Sequence, residues 1–243
     1  ASTDRRAHRC IALRHVGLTL PLWRAPSWQR APFLLDPDPM SAVPDIHLDL
    51  GCGPMPRNPY RRGRLYGIDL RSGMTLRSGA ADGELLSANL VLEPIPFADD
   101  FFGSVSAYDF LEHVPRQLID PRSGVLRNPF VELMSEIWRV LAPGGRLLAS
   151  TPAYPRPEAF QDPTHVNIIT RDTHDYFCGD PAPAAMYGFR GGFRVVEVGW
   201  SVEKNSRDPL QPRWRKRLRN WNHRLFKQGL SHFAWELEAI KRP

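Results

Sequence analysis

The chain has 243 residues, a hydrophobic fraction of 42%, a charged fraction of 24% and a formal net charge of +6 at pH 7. These values suit one α/β domain with extensions. No run of roughly 18 apolar residues occurs, so we expect no membrane span. The three cysteines are widely separated and form neither a metal-ligand spacing nor a disulfide framework. This pattern favours a reducing compartment, and we expect a cytoplasmic protein.

Residues 1–45 differ from the rest of the chain. They hold six arginines and six prolines and show no period of 2 or 3.6. The continuous apolar core and the small-residue cleavage site of a secretory signal are missing. We therefore predict an N-terminal arm or extension over residues 1–45 and a single domain over residues 46–243.

The central feature is the stretch IHLDLGCG at residues 46–53, in which an apolar run is followed by Gly51-Cys52-Gly53. A second apolar run, residues 64–70, contains Asp69 near its end. Buried parallel strands read as apolar runs, and a glycine turn lets the backbone approach a ligand. An acid at the tip of the next strand can accept hydrogen bonds from ribose hydroxyls. The alternative is an ordinary tight turn, with Cys52 as a small turn residue.

The prolines after the glycine turn argue against a dinucleotide. Pro56 stands at the position of the third glycine in Gly-x-Gly-x-x-Gly, and Pro54 and Pro59 crowd the expected start of a helix. The helix amino end that holds pyrophosphate is therefore poor. S-adenosylmethionine carries no phosphate and does not need that cradle.

Seven strands and one strong helix can be read along the chain. The strands are predicted at about 46–50, 64–70, 85–90, 103–109, 146–151, 193–200 and 233–240. Asn128 and Pro129 predict a capped helix start, and the apolar side chains that follow repeat at helical spacing until Pro143-Gly144-Gly145. Thr170 is expected to cap a short helix that runs to about Phe177. These elements predict an α/β fold, and the family resemblance given below implies a Rossmann-like, seven-stranded, mostly parallel sheet flanked by helices, with the last strand antiparallel.

A basic insertion is predicted at about 207–230, between the last two strands. Within it, residues 213–228 read as an amphipathic helix with Trp214, Leu218, Trp221 and Leu225 on one face. The first interpretation is a helix docked on its own domain with a solvated basic face. A membrane surface or a protein partner are alternatives. No nucleic-acid reader motif is recognised, so nucleic acid is not an expected partner. The oligomeric state is left open.

Taken together, these motifs resemble the class I S-adenosylmethionine-dependent methyltransferases. The resemblance spans about residues 48–151, and residues 160–167 (FQDPTHVN) are similar to one bacterial branch of that family. The matching segments are residues 48–53, 67–69, 94–97, 109–114 and 136–145.

The resemblance implies a set of cofactor-binding residues. Asp49, Gly51 and Gly53, with Cys52 between the glycines, would line the methionine moiety of S-adenosylmethionine. Asp69, followed by Leu70, would hold the ribose hydroxyls. The adenine side would be formed by Asn89 and Leu90, and the sulfonium side by Asp109 and Phe110.

Catalysis of methyl transfer depends mainly on positioning and on the removal of a proton. His165, on the loop expected above the cofactor, is the first candidate for the base. Asp162, His113 and Tyr154 are the others, although His113 also suits a structural role. Glu112 with His113, Asp162 and His165 could converge on a hard metal ion, but no local ligand spacing supports it, and we predict no metal site.

The function predicted is methyl transfer from S-adenosylmethionine to an oxygen or nitrogen of a small molecule or glycan. One alternative is a degenerate methyltransferase fold that acts as a binding or assembly module. The other is an NAD-dependent oxidoreductase, against which the residue Pro56 counts.

Overall fold

The computed structural model of the protein describes residues 43–73, 83–120, 123–226 and 229–241. The arm predicted over residues 1–45 therefore lies outside the described residues except for its last three. Residues 74–82, between the second and third predicted strands, also lie outside them.

Nine strands are assigned within the described ranges. Those of the main sheet are β1 Ile46–Leu50, β2 Arg64–Asp69, β3 Gly83–Ser87, β4 Phe102–Tyr108, β7 Leu141–Pro152, β8 Phe193–Ser201 and β9 His232–Ala239. A small antiparallel pair consists of β5 Leu118–Ile119 and β6 Leu126–Arg127. The seven predicted strands are confirmed, with shifts of a few residues at their ends.

The main sheet has the order β3-β2-β1-β4-β7-β9-β8. The pairs from β3 to β7 are parallel, whereas β9 runs antiparallel to both β7 and β8. This confirms the Rossmann-like prediction with an antiparallel last strand. The order places the carboxyl ends of β1 and β4 side by side, and ligands of such sheets bind where the strand order reverses.

Helix α1, Pro129–Val140, covers the sheet with the apolar face that the sequence predicts. Phe130, Leu133, Met134 and Ile137 are all buried. Its amino end differs from the prediction, because the Asn128 side chain makes no capping bond. The Asn128 N–H donates instead to the Glu132 carboxylate, at 3.3 Å.

The carboxyl end of α1 also lies earlier than predicted. The helix ends at Val140, and Leu141 is already extended and pairs with Phe102 of β4. A register shift follows before Arg146 pairs with Ser104. Pro143 and Gly144 thus form an irregularity within β7 rather than the helix stop.

The short helix predicted from Thr170 begins later and is a 3-10 helix, Thr173–Phe177. The Thr170 hydroxyl accepts from the Asp172 N–H at 3.3 Å, and the Thr170 N–H donates to Thr173 Oγ1 at 2.9 Å. The two threonines therefore form a turn before the helix rather than a cap on it.

Two helices lie between β8 and β9: α2, Glu203–Ser206, and α3, Arg213–Phe226. The basic helix is confirmed, but the docking predicted for its apolar face is wrong. Trp214, Leu218, Trp221 and Leu225 are more than half exposed. Polar residues on the opposite face hold α3 to the domain. Within the described ranges, no helix combines the length and the hydropathy that crossing a bilayer requires.

Candidate cofactor and catalytic site

A cavity of about 630 Å³ opens at the carboxyl ends of β1 and β4. This volume lies within the range of about 300–1,000 Å³ that is usual for small-molecule and cofactor sites. Its walls are the glycine turn, the segment after it, the end of β4 and one arginine beyond α2. The lining residues are Gly51, Cys52, Gly53, Pro54, Met55, Arg57, Asn58, Pro59, Tyr108, Asp109 and Arg207.

The glycine turn is shaped by two left-handed residues. Gly51 has φ +62° and Gly53 has φ +60°. A Cβ on Gly51 would lie 2.6 Å from the Phe110 ring, so only glycine fits between the turn and that side chain. The intervening Cys52 is buried, and burial raises the pKa of its thiol to about 12. Cys52 is therefore a neutral thiol at pH 7, as expected of a turn residue.

Asp49 lies beneath the cavity rather than in its lining. It is fully buried; Oδ1 accepts from Ser106 Oγ at 2.6 Å, and Oδ2 accepts from the Arg57 N–H at 2.8 Å. Ser106 Oγ in turn accepts from His47 Nε2 at 2.8 Å, and His47 Nδ1 meets Ser104 Oγ at 2.7 Å. Burial raises the pKa of Asp49 to about 6 and lowers that of His47 to about 3. This chain of bonds fixes the segment after the glycine turn to the sheet.

Asp69 lies against the glycine turn. Its Oδ2 accepts from the Gly53 N–H at 2.9 Å, and both carboxylate oxygens accept from the Arg71 guanidinium at 2.9 and 3.2 Å. Although partial burial opposes ionisation, the bonds from Arg71 and Gly53 hold the pKa of Asp69 below its usual value. Asp69 is thus an ionised acceptor beside the turn. Its role as ribose ligand stays a prediction.

The residues predicted near the adenine differ in their burial and in their hydrogen bonds. The Asn89 side-chain oxygen accepts from the Val91 N–H at 3.2 Å, and its carbonyl oxygen accepts from the N–H groups of Leu92 and Glu93 at 2.9 Å each. Leu90 is buried, whereas Leu70, which was predicted beside the ribose, is 67% exposed. Asn89 therefore already serves a local turn.

Asp109 reaches the cavity directly after β4, with φ +50°. Its Oδ1 lies 2.9 Å from His232 Nε2, and His232 Nδ1 lies 2.8 Å from Ser231 Oγ. Since His232 opens β9, this contact ties the last strand to the cavity wall. Phe110 packs on Gly51, as described above.

The four predicted base candidates lie outside the cavity lining. His165 and His113 form an edge-to-face pair with ring centroids 4.9 Å apart. His165 Nε2 lies 4.0 Å from Glu112 Oε1. Asp162 accepts from Thr164 N–H at 2.8 Å and from Thr164 Oγ1 at 2.7 Å. Tyr154 is 53% exposed. The role of His165 as base stays a prediction.

Glu112 is the buried centre of this second cluster. Its Oε2 accepts from Thr151 Oγ1 at 2.7 Å, and burial raises its pKa to about 7. Sequence reasoning identified Glu112 only as part of a family motif and as an improbable metal ligand.

Sequence reasoning missed the cationic side of the cavity. Arg57 stacks over the Tyr108 ring at 4.7 Å, and Arg207 enters the lining from the end of α2. His232 was also missed, although it contacts Asp109. None of these residues belongs to a motif or a periodic pattern, because their contacts join segments far apart in sequence, up to the 123 residues between Asp109 and His232.

The order of the sheet, the glycine turn and the cavity beyond β1 and β4 define the class I methyltransferase fold. Residues 48–149 match the family described as methyltransferase domain. Over these residues the chain is therefore similar to the class I S-adenosylmethionine-dependent methyltransferases, and S-adenosylmethionine is the cofactor of that class.

One curated relative is itself described as a methyltransferase. The chain is 30% identical over 150 residues to a ribosomal protein L11 methyltransferase of Chromohalobacter salexigens, with 53% of this chain and 48% of that protein covered. It thus spans about half the length of this curated relative.

Two solved structures are similar to the chain, and the shared fold rests on the first of them. A chain of a complex between the Haloferax volcanii Trm112 methyltransferase activator and a protein described as a methyltransferase is 16% identical, with 84% of this chain and 86% of that chain covered and a TM-score of 0.51. A S-adenosylmethionine-dependent methyltransferase of Archaeoglobus fulgidus is also 16% identical, with coverages of 79% and 85% and a TM-score of 0.47. At such identities the likeness concerns the fold alone.

Proposed function

We propose that the protein transfers a methyl group from S-adenosylmethionine to an oxygen or nitrogen of a small molecule or glycan. The observation that carries this proposal is the open cavity beside the glycine turn, at the carboxyl ends of β1 and β4. S-adenosylmethionine supplies an electrophilic methyl group on its sulfonium. The residues of the chain bind and orient the reactants.

The nucleoside side of the cofactor suits Asp69. An ionised carboxylate has enough acceptor sites for two ribose hydroxyls besides the Gly53 N–H. The Arg71 side chain that now pairs with Asp69 is 63% exposed. Arg71 can therefore turn into solvent without disturbing the core, and the sugar hydroxyls would replace its bonds.

The amino-acid side of the cofactor suits the two arginines of the cavity. Arg57 and Arg207 carry guanidinium groups that can pair with a carboxylate, and Arg207 also pairs with Glu203. Asp109 lies in the same lining and can accept a bond from an ammonium group. The carboxylate and the ammonium group of the methionine moiety thus each have a partner of opposite charge.

Cofactor binding can be tested by calorimetry with S-adenosylmethionine, S-adenosylhomocysteine and NAD. Asp69→Ala should weaken S-adenosylhomocysteine binding roughly 10- to 100-fold, since hydrogen bonds to charged groups contribute about 1.5–3 kcal/mol. Asp172→Ala is the matched control, because that carboxylate is 66% exposed and pairs with a neighbouring arginine. Tight binding of NAD alone would refute the proposal. Binding of neither cofactor would favour the binding-module alternative.

The acceptor can be sought with radiolabelled S-adenosylmethionine. Small molecules and glycans are the acceptors expected. The name of the curated relative makes a ribosomal protein the competing acceptor, so peptide and ribosomal fractions belong in the same assay. The predicted base is tested there as well, since His165→Ala should lower turnover by a factor on the order of 10² if His165 accepts the proton.

A further inference from the structure

Three metal-binding side chains meet outside the cavity. Glu112 and His113 lie in the 3-10 turn Leu111–His113 after β4, and His165 lies on the loop after β7. One donor atom of each lies within 4.8 Å of the other two. Three such groups in contact can hold a divalent ion if the backbone fixes them and their lone pairs are free.

The backbone does fix them. The N–H groups of Val166 and Asn167 both donate to the carbonyl oxygen of Glu112, at 2.9 Å each. Asn167 Nδ2 also donates to the Leu111 carbonyl oxygen at 3.1 Å. The loop that carries His165 is therefore held directly against the turn that carries Glu112.

Glu112 has one carboxylate oxygen without a hydrogen-bond partner. The residue is 1% exposed; its Oε2 accepts from Thr151, whereas its buried Oε1 has no hydrogen bond. An unsatisfied buried oxygen is costly and calls for an explanation. Oε1 lies 4.0 Å from His165 Nε2, so the unsatisfied atom belongs to the cluster.

Both imidazoles have the tautomer that metal ligands require. His165 Nδ1 lies 3.2 Å from the Ala159 carbonyl oxygen, which can only accept. His113 Nδ1 lies 3.3 Å from the Thr164 carbonyl oxygen and 3.0 Å from Thr164 Oγ1, whose proton goes to Asp162. Each Nδ1 therefore carries the proton and each Nε2 keeps a lone pair. A Nδ1–H bonded to a carbonyl is the usual outer contact of a histidine ligand.

We propose that Glu112, His113 and His165 form a site for a divalent ion of the zinc class. The sequence analysis, in contrast, predicted no metal site. Two histidines and one carboxylate form a known zinc ligand set that leaves a further position open. With ligand distances of about 2.0–2.2 Å, tetrahedral ligands lie roughly 3.3 Å apart. The present 4.0 Å between Nε2 and Oε1 requires only a small side-chain adjustment.

Metal titration of chelator-stripped protein tests the site directly. Co²⁺ should give visible absorption bands that saturate at one equivalent, and Zn²⁺ should displace them. Glu112→Gln and His165→Gln should each lower Co²⁺ affinity at least tenfold. His174→Gln is the matched control, because His174 is also buried but lies beside Asp175, outside the cluster.

Thr164→Val provides a variant that is expected to fold, since Thr164 is exposed. It removes the hydroxyl that links His113 to Asp162 and should lower affinity roughly 10- to 100-fold. A wild-type protein that binds neither Co²⁺ nor Zn²⁺, or a Thr164→Val protein that binds as wild type does, would overturn the proposal. These readouts are independent of methyl transfer. In the metal-bound state His165 would hold the ion and would not act as the base.

The exposed face of α3 carries a second, independent inference. Trp214, Leu218, Trp221 and Leu225 are 55–61% exposed and follow the spacing i, i+4, i+7, i+11. They form a single apolar stripe along the helix. Four large apolar side chains exposed along one helix face are typical of an interaction surface.

The domain holds α3 from the other side. Lys216 Nζ lies 3.2 Å from Glu197 Oε2, and Asn205 Nδ2 donates to the Lys216 carbonyl oxygen at 3.2 Å. One turn further, Asn220 Nδ2 donates to the Trp200 carbonyl oxygen at 2.8 Å. The stripe therefore faces away from the domain.

We infer that this face binds an anionic lipid surface. Helical geometry places Arg217 and Arg224 on one side of the stripe and Arg215 and Arg219 on the other, and α3 contains no acidic residue. The tryptophans at the centre of the stripe can insert at the boundary between headgroups and acyl chains, and the arginines at its flanks can contact the lipid phosphates.

Co-sedimentation with lipid vesicles tests this inference. The protein should bind vesicles of phosphatidylcholine with phosphatidylglycerol and not vesicles of phosphatidylcholine alone. Arg217→Gln with Arg224→Gln should weaken binding roughly 10- to 30-fold, since each basic residue contributes about 1 kcal/mol. Trp214→Ser with Trp221→Ser should abolish it.

The control is Met186→Ser, which removes an apolar side chain that is 76% exposed on another element. Equal binding to both kinds of vesicle, or no binding to either, would refute the lipid surface. Loss of binding in Met186→Ser would show a non-specific apolar effect and would refute it as well.

Discussion

Replacing Ser106 with alanine should destabilise the protein more than any conservative surface change. Ser106 Oγ donates to Asp49 Oδ1 at 2.6 Å and accepts from His47 Nε2 at 2.8 Å, and all three residues are fully buried. Alanine leaves two buried polar groups without that partner. At about 1–3 kcal/mol for each unsatisfied group, we expect a loss of about 3 kcal/mol in the free energy of unfolding.

Ser104→Ala is the matched control, because Ser104 contacts only His47 Nδ1 in this chain of bonds, at 2.7 Å. It should cost about 1–2 kcal/mol. Urea unfolding at pH 7.5, followed by tryptophan fluorescence, measures both variants. In thermal unfolding the Ser106 variant should melt roughly 6–12 °C below wild type, given 2–4 °C per kcal/mol for a domain of this size.

The same variant should affect the cavity. Asp49 Oδ2 holds the Arg57 N–H at 2.8 Å, so a displaced carboxylate would loosen the segment after the glycine turn. We expect weaker S-adenosylhomocysteine binding in Ser106→Ala than in Ser104→Ala. The reasoning would be refuted if Ser106→Ala stayed within 1 kcal/mol of wild type, or if Ser104→Ala were the more destabilising of the two.

Three further predictions concern single side chains. Burial raises the pKa of Asp49 from 3.8 to about 6, so the native state keeps a proton that the unfolded chain releases, and stability falls as pH rises from about 4 to 6. Asp49→Asn removes this loss. In urea titrations, the free energy of unfolding of the variant minus that of wild type should therefore rise by about 3 kcal/mol from about pH 4 to about pH 6. A difference that stays constant over this pH range would contradict the raised pKa. Gly51→Ala should abolish cofactor binding in calorimetry because its Cβ would meet Phe110, whereas Gly188→Ala, at φ +93° with open space around it, should bind as wild type does. Arg139→Met should cost about 2–4 kcal/mol in urea unfolding, because its guanidinium donates to three backbone or carboxylate groups at 2.8 Å; a loss below 1 kcal/mol would show that these bonds are dispensable.

The strands and the glycine turn could be predicted because their causes are local. Buried parallel strands need apolar runs, and φ angles near +60° at Gly51 and Gly53 favour glycine whatever surrounds them. The apolar face of α1 follows from helical spacing alone. The boundaries were less predictable, since Leu141 leaves the helix to pair with Phe102, a contact that joins distant segments.

The sequence by itself determined the seven strands, and by resemblance it implied a mostly parallel sheet with an antiparallel last strand and a cofactor site beside the glycine turn. Only the tertiary structure decided that Asp49 lies under the cavity, that Arg207 enters it, and that Glu112 meets His113 and His165. It also decided which face of α3 is exposed, because the amphipathic pattern predicts a stripe but not its partner. Each of these outcomes depends on contacts between segments far apart in sequence, and local periodicity carries no information about such contacts.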